Sequence, residues 1–242
     1  VAGRFYPEGK EALRSVIELF LKQSPKEDAI AVIAPHAGYV YSGDVAGSVY
    51  SSVNMPDSVI LIGPNHTGMG RRASVMAEGE WEMPLGKLKI DGQLAKKLLE
   101  SSFLFTDDTE AHLMEHSLEV QTPFIYTLNG KTKIVPVTVM EADYGECVEM
   151  GRAIAETIKS YGKKVLIIVS SDMNHYEPDG ITREKDKLAI EKVLRLDPHG
   201  LLQITALEDI TMCGVTPAVI ALEAAKRLGA TGGTLVKYAT SG

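Results

Sequence analysis

Three of the six histidines in this 242-residue chain stand directly after short apolar runs. Ala29–Ala34 leads into Pro35-His36-Ala37-Gly38, Ser58–Ile62 into Gly63-Pro64-Asn65-His66, and Val165–Val169 into Ser170-Ser171-Asp172-Met173-Asn174-His175. Neutral imidazole is a common metal ligand and the side chain best suited to moving protons near neutral pH. A single histidine beside a strand end is more often a surface or capping residue, so the repetition is the informative feature. Ligands drawn from separate strand ends need no local spacing signature.

A fourth piece lies in Thr211-Met212-Cys213-Gly214-Val215-Thr216-Pro217, where Gly214 allows a sharp turn and Thr216-Pro217 reads as a helix start. A cysteine beside a helix N-terminus is expected to have a depressed thiol pKa, favouring the thiolate as ligand or nucleophile. The alternative reading of Cys213 is a small buried apolar residue. Cys147 falls inside a helical pattern and reads as structural. In Glu115-His116-Ser117-Leu118-Glu119 the two glutamates are four apart, on one face of an expected helix, with His116 near its start. The same pattern also fits acidic residues opposing a helix dipole. Tyr39 and Tyr41, after His36, are expected at the pocket mouth, with Asn65 beside His66 among the supporting residues.

The elements that must position these groups follow from apolar period. Continuous β-rich runs occur at 29–34, 58–62, 133–139, 165–169 and 234–238. Helical spacing covers 9–23, 44–53, 93–100, 116–127, 144–161, 182–196, 198–205 and 216–227. Short runs apolar at every position suit strands buried on both faces, and alternation with helices implies parallel pairing. The expected fold is therefore α/β: a single domain over residues 1–242, with a central, mostly parallel sheet flanked by helices on both faces. The less regular stretch around 70–90 is expected to leave the sheet as a β-ribbon. In such sheets ligands bind beyond the carboxyl ends of the strands. If the three histidine-bearing strands are neighbours, their histidines converge there.

Composition sets bounds on function. The chain is 45% apolar and 24% charged, which argues against disorder, and no apolar run approaches a bilayer's span. A net charge of −7 argues against a general nucleic-acid binder. Two cysteines cannot build a disulfide framework, and reduced thiols in the cytoplasm are the simplest expectation. The start at Val1 and the stop just after an apolar run suggest native residues beyond both ends.

Taken together, Val1-Ala2-Gly3-Arg4-Phe5-Tyr6-Pro7, Ala34-Pro35-His36-Ala37-Gly38-Tyr39 with Ser42-Gly43, and Gly63-Pro64-Asn65-His66 resemble the Memo family. Glu115-His116-Ser117-Leu118-Glu119, Ser170-Ser171-Asp172-Met173-Asn174-His175, Cys213-Gly214 and Tyr238-Ala239 extend the match in the same order. The resemblance covers essentially the whole chain, and members of that family continue past the position of Gly242 with another apolar segment. It implies a fold like that of the class III extradiol dioxygenases, non-haem iron enzymes typified by protocatechuate 4,5-dioxygenase. It also implies metal ligation by His36, His66 and Cys213, and an acid/base role for His175 in the motif that contains Asp172. His116 falls near the dioxygenase substrate pocket. Cys213 replaces a carboxylate, and the softer sulfur shifts preference towards copper or zinc relative to Fe(II).

Three functions follow as expectations: a metal-dependent redox protein or dioxygenase-like oxidoreductase, with iron foremost and copper or zinc as alternatives; a binding module whose crevice holds a peptide or partner domain; and a zinc hydrolase. The resemblance further implies an association with an AMME-type domain protein and a radical SAM protein in prokaryotes. In animals it implies links to motility and receptor signalling through phosphotyrosine peptides. Arg4, Arg71 and Arg72 are the cationic residues nearest these motifs in sequence.

Overall fold

In the computed structural model, which describes residues 1–241, the chain begins with helix α1 (Lys10–Phe20), strand β1 (Ala31–Ala34), helix α2 (Tyr39–Ser51) and strand β2 (Ser58–Pro64). Strand β3 (Ala73–Val75) precedes a separate antiparallel ribbon of β4 (Glu80–Met83) and β5 (Gly86–Lys89), the excursion expected from the irregular 70–90 pattern. Helix α3 (Gly92–Ser101), the short β6 (Thr106–Asp107), helix α4 (Thr122–Leu128) and strand β7 (Lys133–Val139) follow. The chain then runs through α5 (Tyr144–Tyr161), β8 (Val165–Ser170), α6 (Asp179–Leu194), α7 (Pro198–Leu207) and α8 (Val215–Arg227).

The six-stranded sheet has the order β1-β8-β2-β7-β3-β6. Pairing is parallel from β1 through β7, and only the β3–β7 pair is antiparallel. The three histidine-bearing strands are thus adjacent, with β8 between β1 and β2. Alternation along each strand builds two cores. Ile60, Ile62, Val135, Val137, Ile167 and Val169 pack with α3, α5 and α8 on one face. Val59, Leu61, Ile134, Leu166 and Ile168 pack with α1, α2, α4 and the ribbon on the other. Both faces of the central strands are covered, which is why those runs read as apolar throughout.

Local signals explain most boundaries. Helix α5 opens on a reciprocal capping box between Asp143 and Glu146 and closes on Gly162 at φ 72°, in the left-handed region. Helix α2 starts five residues before the expected Asp44, because Gly43 and Gly47, poor helix formers, let Phe20 of α1 lie against its backbone. A Cβ at Gly47 would stand 2.5 Å from the Phe20 carbonyl oxygen.

Two expectations fail. A helix over 116–127 would have Pro123 in its interior, where the ring clashes and the N–H is lost. The chain instead makes a tight 3₁₀ turn at Glu119–Gln121 and starts α4 with Pro123 in its first turn, so Glu115 and His116 lie outside any helix. Glu115 and Glu119 accordingly do not share a helical face. The run 234–238 forms no strand. Its polar side chains are committed to helices: Lys237 pairs with Asp44 of α2, and the Tyr238 hydroxyl donates to Asp186 of α6 at 2.7 Å. Those ties hold it over helices and leave Leu235 and Val236 exposed.

Candidate metal centre

Beyond the carboxyl ends of β1, β2 and β8, one donor atom each from His36, His66 and Cys213 lies within 4.8 Å of the other two. The His36 and His66 rings meet edge to face at 5.3 Å between centroids, and His36 Nε2 is 3.3 Å from Cys213 Sγ. Each ligand candidate is held from behind. His36 is buried, with Nδ1 2.9 Å from Ser170 Oγ at the end of β8. The His66 backbone N–H and ring Nδ1 both donate to the Glu115 carboxylate, at 2.5 and 2.9 Å. Glu115 is buried and also accepts from the Ser117 N–H at 2.9 Å. Burial alone would raise its pKa, but these hydrogen bonds outweigh it and draw the carboxyl down to about 2. An ionised carboxylate only accepts, so His66 Nδ1 carries a proton and Nε2 remains as its donor atom.

The sulfur arrives from a different element. Gly214 caps α8 and packs so closely on the end of β8 that a Cβ there would stand 2.4 Å from Ser171 Cβ. The Gly214 N–H donates to Ser171 Oγ at 3.0 Å, and the Asp172 N–H donates to Cys213 Sγ at 3.2 Å. Position beside a helix start suggested a depressed thiol pKa. In the structure burial dominates and pushes Cys213 up to about 12, so without a metal the group is a thiol. Metal coordination is what deprotonates such a group.

Around this triad stand the remaining polar groups. Asp172 Oδ1 accepts from the backbone N–H groups of His36 and Ala37, at 2.8 and 3.1 Å, which fixes the loop after β1. Its Oδ2 is 3.8 Å from His36 Nε2. His175 joins Asp172 and Cys213 in a second group of donors within 4.8 Å. Its Nδ1 donates to the Thr211 carbonyl at 2.8 Å, which leaves Nε2 as the proton-accepting atom. His116 stacks between Phe5, at 4.3 Å, and His66, at 4.8 Å. The set of two imidazole nitrogens and one sulfur, each braced by a hydrogen-bonding partner, fits a transition metal of borderline or soft character.

The sequence matches the family described as Memo-like protein over residues 1–242. The chain belongs to the Memo family. A MEMO1 family protein of Pyrobaculum aerophilum, PAE0818, is 44% identical over 255 residues, covering 100% of this chain and 91% of that protein. A MEMO1 family protein of Aquifex aeolicus is 43% identical over 245 residues with the same coverage. The crystal structure of the uncharacterized protein JW3007 from Escherichia coli K12 superposes with a TM-score of 0.49 at 16% identity, over 71% of this chain and 77% of that one.

In this Memo chain the residues expected at the site do not all reach it. Tyr39 is buried in the second core with its hydroxyl donating to the Val120 carbonyl at 2.7 Å, so it packs the wall and does not line the mouth. Tyr41 is exposed. Asn65 turns onto its own loop, its Oδ1 accepting from Thr67 and Gly68 and its Nδ2 donating to the Met69 carbonyl, and so shapes the turn that carries His66. Sequence reading passed over Phe5, Thr211 and Gln121. Of these, Gln121 carries no local signal, because Glu119 and Thr122 beside it are polar as well.

His112 lies apart, in the 3₁₀ turn Glu110–His112, buried with its ring 5.9 Å from that of Trp81. Burial pulls its pKa down to about 4. Because the native form is neutral while the unfolded chain takes up a proton below about 6.5, stability is lost as pH falls from 6.5 to 4. The loss attributable to this ring is about 3 kcal/mol. The urea midpoint of wild type is expected to fall relative to that of His112→Leu as pH drops through that window. Parallel curves would refute the assignment.

Proposed function

We propose that this Memo protein holds one transition metal ion through His36 Nε2, His66 Nε2 and Cys213 Sγ, with Fe(II) foremost and copper or zinc as alternatives, and that it works as an oxidoreductase on a small molecule. The observation that carries the reading is the meeting of two imidazoles and a sulfur, 177 residues apart at the extremes, on three elements at the strand ends. A bound ion of this kind would supply a Lewis-acidic, redox-active centre to which substrate could be presented.

The chain's own residues supply the rest. His175, with Nδ1 tied to a carbonyl, is oriented to accept or return a proton at Nε2. Asp172 spends one oxygen on fixing the His36 loop and keeps the other towards the pocket. Phe5 and His116 close one side with stacked rings, which restricts water there. Purification without oxygen or chelators, followed by elemental analysis, is expected to give about one iron per chain. Oxygen consumption on a panel of catechols then tests the reaction class. Full zinc occupancy with ester or amide hydrolysis would favour the hydrolase reading instead. Protein that neither carries nor takes up metal would end the proposal.

A second reading, a crevice that binds a peptide or partner domain such as an AMME-type domain, draws on the exposed apolar side chains Val40, Tyr41, Met69, Leu113, Met114 and Tyr176. Each lies within five residues of His36, His66, Glu115 or His175 in the sequence.

A further inference from the structure

A chain of buried polar groups runs from the core between the sheet and α2 to His36. The Tyr50 hydroxyl donates to Gln121 Oε1 at 2.8 Å, and Gln121 Nε2 donates to the Pro35 carbonyl at 2.9 Å and to Ser170 Oγ at 2.8 Å. Ser170 Oγ donates to the Ser117 carbonyl at 2.7 Å and lies 2.9 Å from His36 Nδ1. Tyr50, Gln121, Ser117 and Ser170 are fully buried, so each group's bonding capacity must be met within the protein.

The direction of every bond is determined by elimination. A carbonyl oxygen only accepts, so the single hydroxyl proton of Ser170 is spent on Ser117. The amide of Gln121 is oriented by the Pro35 carbonyl, which can only accept and so takes the nitrogen, leaving the amide oxygen to accept from the Tyr50 hydroxyl. It therefore presents N–H to Ser170. The hydroxyl oxygen has only a lone pair left for His36, which must be the donor. His36 is thereby held as the Nδ1–H tautomer, with the Nε2 lone pair facing Cys213 Sγ.

We infer that Ser170, with its rotation fixed by the Ser117 carbonyl and the Gln121 amide, is a positioning residue that sets the tautomer of His36 and readies its Nε2 for a cation. The inference rests on the metal reading for its purpose, but the tautomer belongs to the metal-free protein. A histidine whose outer nitrogen is left without an acceptor samples both tautomers and both ring flips, and loss of such a partner typically weakens metal binding about 10–100-fold.

The test uses the full chain labelled with ¹⁵N at histidine, with the His36 ring signals assigned by loss in His36→Gln. Metal-free wild type is expected to show only the Nδ1–H form. Ser170→Ala is expected to show a mixture, and to bind Zn(II) about 10–100-fold more weakly in a chelator competition. Ser170→Cys, which keeps a weak acceptor, is expected to recover much of both and guards against a Ser170→Ala chain that does not fold. If His36 keeps a pure Nδ1–H form and unchanged Zn(II) affinity in Ser170→Ala, the positioning role is wrong while the metal site stands. If wild type binds no metal yet the tautomer mixes in Ser170→Ala, the positioning role stands and the metal reading falls.

Discussion

Cys213→Ala is expected to bind Fe(II) or Zn(II) about 100–1000-fold more weakly than wild type, and His36→Ala and His66→Ala to do the same. The magnitude follows from dividing the ~10–16 kcal/mol of a structural zinc site among its ligands, which gives about 3 kcal/mol for each. Geometry makes the three losses alike, because the donors lie within 4.8 Å of one another and belong to three different elements. Removing any one leaves two of the three, and the neighbours nearest a vacated position are Asp172 and His175, which form a second donor group with Cys213. Cys213 is the sharpest of the three tests. Among the described residues its sulfur makes only long contacts, with the Asp172 N–H, the Asp172 carbonyl and His36 Nε2, so its removal should change the melting temperature of the metal-free protein little. Stoichiometry by elemental analysis and affinity by chelator competition, both without oxygen, provide the measurement. Wild-type affinity in Cys213→Ala would remove the sulfur from the site.

Glu115→Ala should behave in the opposite proportion, with a large loss of stability and a smaller loss of affinity. Its carboxylate is 3% exposed and receives the His66 backbone N–H, the His66 ring and the Ser117 N–H. Deleting this buried acceptor costs about 1–3 kcal/mol, because the Ser117 N–H is left buried without a partner, while the exposed His66 can turn to water. Metal affinity is expected to fall about 10–100-fold, since His66 remains but is no longer oriented. The acid limb offers a check on the sign. The carboxyl is drawn down to about 2, so the stability it contributes is present above about 4.5 and is lost as pH falls from there towards 2. That portion of the acid transition should be missing from Glu115→Ala. A variant as stable as wild type, with the same pH dependence, would show that Glu115 does not hold His66.

Lys133–Val139 and Tyr144–Tyr161 appear in the structure with the bounds their patterns gave. The strand is apolar on nearly every position because helices cover both faces, and the helix carries its own capping box and C-terminal glycine. Parallel pairing followed from alternation with helices, and the family from motifs scattered over the whole chain. Where local and distant interactions compete, the pattern misleads. Residues 116–121 have helical spacing, but Pro123 and the pull of Glu115 on His66 keep them out of a helix. Residues 234–238 have strand composition, but Lys237 and Tyr238 bind acidic partners on α2 and α6.

The candidate site divides in the same way. Residue types named His36, His66, His175 and Cys213, because strand ends and turns are local features that a sequence displays, and the family resemblance added Asp172. What those side chains face is set by contacts between residues that lie dozens to more than a hundred positions apart. Only the strand order, with β8 between β1 and β2, brings the two imidazoles together. Burial in the folded chain raises the Cys213 thiol, against the local helix-start argument. Tyr39 packs in the core, and Glu115 becomes the brace for His66. Fold class and the chemical groups on offer were legible in the linear order, because period and turn chemistry act over a few residues. The tertiary structure alone decided which groups meet, which are braced and which are protonated, because desolvation and hydrogen-bond polarity depend on neighbours that the linear order does not reveal.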